Sequence, residues 1–160
     1  MNTRVRCLGI VISMFFILGF FQNAAARDLI VVATKDTQNA SKDWLGFLES
    51  KEIPVKLVTP DSFSGVKEEL YIVIMGSMDE SEAMAGIAKD ALTADELKSV
   101  NSEGKMFYKP QAWNVGQKVI LFLGPNRKAT LDARISTQEK WYEMLKEWFD
   151  IEDTEGFHVY

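Results

Sequence analysis

The chain has 160 residues, 26% of them charged, a formal net charge of −5 and a single cysteine, Cys7. An acidic balance suits neither nucleic acid nor an anionic membrane surface, and a lone cysteine excludes a disulfide framework within the chain. The length fits one domain with an adequate core.

Residues 1–26, MNTRVRCLGIVISMFFILGFFQNAAA, have the three parts of a secretory signal: Arg4 and Arg6, then the apolar run Leu8 to Phe21, then Ala24-Ala25-Ala26. Cleavage is expected before Arg27, giving a periplasmic or secreted protein. The rival reading, an uncleaved anchor, needs about 20 apolar residues, and the run is shorter. Residues 1–26 carry two arginines and no acid, so cleavage takes the charge from −5 to −7 and removes Cys7. No later stretch is apolar enough to span a bilayer, so no transmembrane segment is expected after cleavage.

Composition does not shift after the leader, which predicts one domain over 27–150 and a loosely held tail over 151–160. The first apolar run, LIVVAT, reads as a strand buried on both faces. TQNASKDWLGFLESKEI then puts Ala40, Trp44, Phe47 and Leu48 on one helical face. VKLVT alternates and suits an edge strand, whereas LYIVIMG is again apolar throughout. Met84, Ile87, Ala88 and Ala91 repeat the helical spacing, with Asp79 and Glu82 as the expected N-cap pair. In LTADEL, Thr93 and Glu96 form a capping box and Leu92 and Leu97 stand where a hydrophobic staple needs them. KMFYKPQAWNVGQ reads as an irregular connection whose Phe107, Tyr108 and Trp113 either cover the core or form a partner-binding patch. KVILFLG is the fourth strand, and Trp141, Met144, Leu145 and Trp148 mark a final helix. That helix either runs from Arg127 or restarts near Ser136, where STQE offers a cap.

This alternation predicts a single three-layer α/β domain of flavodoxin/Rossmann-like type. Its four-stranded, mainly parallel sheet has the expected order 2-1-3-4 and helices on both faces. Ligands in such sheets lie beyond the carboxyl ends of the strands, where strand order reverses. The loops there carry Lys35, Asp36, Ser77, Asp79, Asn126 and Arg127, which are the candidate binding residues.

The stretch LFLGPNRKAT looks at first like a phosphate loop. It has no second glycine, and Pro125 removes an N–H where donors are wanted. ATKDTQNA after the first strand contains no glycine, so the dinucleotide fingerprint fails too, and no cofactor is expected. Asn126 reads as a helix cap, with anion binding near Arg127 and Lys128 as the alternative. The one histidine, His158, lies in the tail, so a Ser/His/Asp triad and the usual zinc sites lack residues. Asp79, Glu80 and Glu82 read as an acidic first turn rather than a calcium site. No metal and no catalytic residue is assigned.

LYIVIMGS, GIAKDALTADEL and VGQKVILFLGPNRKATLDA together resemble the α/β domains of archaeal surface-layer-type envelope proteins, over about residues 70–133. The resemblance implies a non-catalytic domain and carries over no catalytic residues. The chain departs from that pattern at Gly76-Ser77-Met78, where Gly-Gly-Pro is expected. Two functions follow. The first is an exported envelope domain whose partner is an envelope protein or cell-wall component; the second is a small-ligand-binding or hydrolytic domain using the strand-end loops.

Overall fold

A computed structural model describes residues 27–152; the leader, His158 and most of the tail lie outside the described residues. In chain order the elements are β1 (Leu29–Val32), α1 (Lys35–Ala40), α2 (Lys42–Ser50), β2 (Val55–Val58), a 3₁₀ segment (Pro60–Gly65) and β3 (Tyr71–Ser77). They continue with α3 (Glu82–Ala91), α4 (Ala94–Val100), β4 (Lys105–Pro110), β5 (Lys118–Gly124), α5 (Arg127–Ser136) and α6 (Gln138–Phe149).

The domain is α/β, with one mixed sheet in the order β2-β1-β3-β5-β4. β1 pairs in parallel with β2 and β3, and β3 in parallel with β5. The sheet has five strands rather than the expected four, because Lys105–Pro110 runs antiparallel beside β5, with Phe107 opposite Leu121 and Tyr108 opposite Ile120. Its lysines and terminal proline resemble loop composition. They are also what an edge strand needs, since charge and a missing N–H discourage further pairing.

The apolar runs predicted as doubly buried strands are so because helices cover both faces. On one face Ile30, Ile72, Ile74, Leu121 and Leu123 meet Met84, Ile87 and Ala88 of α3 and Val100 of α4. On the other, Leu29, Val31, Val73, Met75, Ile120 and Phe122 meet Trp44 and Leu48 of α2 and Trp141, Tyr142, Leu145 and Trp148 of α6. Each large apolar side chain buried this way contributes roughly 1.5–3 kcal/mol, so the two layers dominate stability. The rings of Trp44 and Trp141 meet edge to face at 5.9 Å, tying α2 to α6.

Helix ends follow local side-chain chemistry. The Thr93–Glu96 capping box is formed, and Asn126 caps α5 by accepting from Ala129 N at 2.9 Å. Ser81, not Asp79, caps α3, accepting from Met84 N at 3.1 Å. The strand runs on to Ser77 and a three-residue turn follows, so the helix starts too late for Asp79 to reach it. The first helical stretch divides at buried Ser41, whose hydroxyl turns inward to Met75 Sδ at 3.7 Å. The last divides at Thr137, where Oγ1 donates back to Ala133 O at 2.7 Å instead of capping α6.

Candidate functional site at the carboxyl edge of the sheet

β1 connects to β2 on one side while β3 lies on its other side, so strand order reverses between β1 and β3. The loops leaving β1, β3 and β5 meet there, and each is positioned by a local device. Thr34 caps α1 and accepts from Thr37 N, which sets Asp36 and Thr37 in the first turn. Gly76 near the end of β3 leaves room for Met84: a Cβ there would stand 2.6 Å from Met84 Cε. Gly124 ends β5, where a Cβ would stand 2.8 Å from Thr130 N, so α5 begins tight against the strand and presents Arg127 in its first turn.

Glu80 stands at the centre. The turn after β3 folds its carboxylate back so that Oε2 accepts from Ser77 N at 3.3 Å. Oε1 accepts from Thr37 Oγ1 at 2.6 Å and from Arg127 Nε at 2.9 Å. Thr37 Oγ1, while donating to Glu80, also accepts from Arg127 Nε at 3.3 Å. Arg127 Nη2 reaches Asp36 Oδ2 at 3.2 Å. The Glu80 side chain is only 8% exposed, against 40% for Arg127 and 74% for Asp36. Arg127 is pushed above its ordinary value, first by the hydrogen bond to Glu80, with burial opposing and Asp36 assisting. The guanidinium therefore stays charged at any pH the fold survives.

Three loops are thus joined by one carboxylate that receives three donors, much as a bound oxyanion would be held. Of the candidates read from sequence, Asp36 and Arg127 belong to this cluster directly, and Ser77 through its backbone N–H. Asn126 is occupied as the α5 cap. Lys35 and Asp79 are exposed, and neither contacts Glu80 or Arg127 among the described residues. The Ser77 hydroxyl is fully buried and has no hydrogen-bond partner among the described residues. Among them, too, no three His, Cys, Asp or Glu side chains gather as a metal ion would require.

Sequence reasoning missed Glu80 and Thr37. Glu80 stood in an acidic run, GSMDESE, where each acid looked like helix-dipole decoration. Only the tight turn after β3 separates the buried carboxylate from its solvated neighbours.

The aromatic candidates do not form one exposed patch. Phe107 and Trp113 pack against the apolar core on the α3 face, with the Trp113 ring 5.0 Å from Phe63. Trp113 Nε1 donates to Asp90 at 2.8 Å, and Lys67 sits 5.5 Å over the ring while pairing with Asp90 at 2.6 Å. Tyr108 is 38% exposed and leans on Trp148 of the opposite layer at 6.3 Å.

Comparison with family models, curated proteins and solved structures returned no match. Among the described residues no helix is long and apolar enough to cross a membrane.

Proposed function

We propose that this is an exported, non-catalytic cell-envelope domain that acts through protein or cell-wall contacts. The observation that carries the reading is the Glu80 carboxylate at the switch point, where an α/β sheet of this kind would hold a ligand. An incoming anion would have to displace a nearly buried carboxylate from three donors, at a cost of about 2 kcal/mol. Both carboxylates of the cluster, Glu80 and Asp36, pair with the one guanidinium of Arg127, which argues against an acid and base pair acting there. The leader pattern of residues 1–26 and the resemblance over residues 70–133 support the same reading.

Co-sedimentation of the purified protein with cell envelopes of its source organism tests it. Saturable binding that competes with unlabelled protein is expected; absence of binding to every envelope fraction would overturn it.

The second reading, a small-ligand or hydrolytic domain using the same loops, has one observation in its favour. The Ser77 backbone N–H and the partly exposed Arg127 both donate to the Glu80 carboxylate, so a polar ligand that displaced Glu80 would find a donor and a cation.

A further inference from the structure

The β2 flank carries a feature the carboxyl edge lacks. β2 has β1 as its one strand neighbour, so the backbone groups on its outer side have no strand partner among the described residues. Beside it, α2 and β2 enclose an open groove of about 550 Å³ lined by Lys42, Leu45, Gly46, Glu49, Val55 and Leu57. Leu57 is 47% exposed, one of few large apolar side chains standing out from the described surface.

The helix contribution to this groove is self-complementary. Lys42, Leu45, Gly46 and Glu49 follow the spacing i, i+3, i+4, i+7, so they form one stripe along α2 with a cation at one end and an anion about 10 Å away at the other. The midpoint falls between Leu45 and Gly46. Nothing lies within 4 Å of where a Cβ on Gly46 would stand, so this glycine leaves open space at the middle of the stripe. A second α2 laid antiparallel across that midpoint places its Glu49 on Lys42 and its Lys42 on Glu49, with backbones close at Gly46.

The strand agrees with the same two-fold axis. Leu57 is in register with Val31, whose side chain faces the α2 layer, so Val55 and Leu57 stand on that face. Antiparallel pairing of two β2 strands about an axis perpendicular to the sheet keeps both copies of α2 on one face. Opposed residues share a face, so a symmetric register that pairs three of the four strand residues sets either Lys56 against Lys56 or Leu57 against Leu57. Like charges disfavour the first, and the second buries the exposed leucine.

We infer that the β2 flank is the contact surface for a second copy of this chain, joining two five-stranded sheets into one of ten strands with paired α2 helices above it. The inference deepens the contact reading given above and rests on it only in naming the partner.

The test uses protein recovered from cells expressing all 160 residues, with mass measured by sedimentation equilibrium across a concentration series. The expected result is a dimer. Lys42→Glu alone and Glu49→Lys alone each replace two attractions by two repulsions, and each weakens dimerisation at least about tenfold. The double variant, Lys42→Glu with Glu49→Lys, restores it. Both side chains are exposed, so folding is retained and circular dichroism checks it. A monomer at every concentration overturns the inference, as does a dimer indifferent to both single reversals or not restored by the double. If a monomer still binds envelopes and Leu57→Lys abolishes that binding, another protein occupies the flank; self-association then fails while the contact reading stands. If neither dimer nor envelope binding is found, both fail.

Discussion

The carboxyl edge of the sheet and its β2 flank are treated in opposite ways. At the carboxyl edge, Glu80 gathers donors from the first turn of α1, the end of β3 and the first turn of α5, so polar groups that could have held a ligand hold each other. At the flank, the strand is only four residues long, its outer backbone lacks a strand partner among the described residues, and Leu57 is left in solvent. The far flank resembles neither: β4 ends in Pro110, and Lys109 is tied to Glu96 of α4 at 2.6 Å. Among the described residues the chain's own groups occupy the strand-order reversal and lysine and proline guard the β4 edge, which leaves the β2 edge the less protected of the two.

The largest expected effect comes from forcing the closed flank open. A Cβ on Gly104 would stand 1.8 Å from Ala129 O, a backbone atom of α5 that cannot step aside alone. Gly104→Ala should cost about 3 kcal/mol, read as a lower denaturation midpoint at unchanged slope. Next is Glu80→Ala, which strands the Arg127 guanidinium and leaves Thr37 Oγ1 and Ser77 N without their acceptor. We expect about 2 kcal/mol by chemical denaturation, with Glu80→Gln losing less because its amide oxygen can still accept. Arg127→Ala should cost less again, about 1 kcal/mol, since the guanidinium is two-fifths exposed and water can replace it.

A smaller effect depends on pH. Glu96 is held below the ordinary glutamate value, first by the Lys109 ammonium and then by the Thr93 backbone N–H. A carboxylate lowered in the folded state stabilises fully above its unfolded value, about 4.3, and loses that contribution as pH falls through the folded value. Stability should therefore decline below about pH 4. Glu96→Gln should flatten that decline in thermal melts taken from pH 6 downwards, and an unchanged slope would remove Glu96 from the account. Smallest of all, Leu57→Lys should leave monomer stability within about 0.5 kcal/mol, because it alters a half-exposed side chain, while abolishing any contact made through the β2 flank.

Much of the architecture is legible in the sequence because one physical signal dominates it. β1, β3 and β5 are continuous apolar runs, and only strands covered on both faces tolerate that; alternation in VKLVT correctly marks an edge. Caps at Thr93 and Asn126 are legible for a similar reason, being short-range hydrogen bonds between residues three apart. β4 is not legible, since Met106 and Phe107 belong to opposite cores and the remaining residues mimic a loop. The candidate site is half legible. The loops follow from topology, and with them Asp36, Ser77 and Arg127. Which acid is buried depends on a 43-residue separation between Thr37 and Glu80 that no local pattern encodes.

Whether Glu80 already fills the switch point is read from a thermal-shift titration with inorganic phosphate and with acetate. Because a ligand at 100 times its dissociation constant adds about 2.7 kcal/mol, real occupancy would move the melting point by several degrees. With Glu80 in place, no ligand-specific shift is expected for the natural chain with either anion. A shift of several degrees that Arg127→Ala abolishes would contradict it and return the carboxyl edge to the list of working ligand sites.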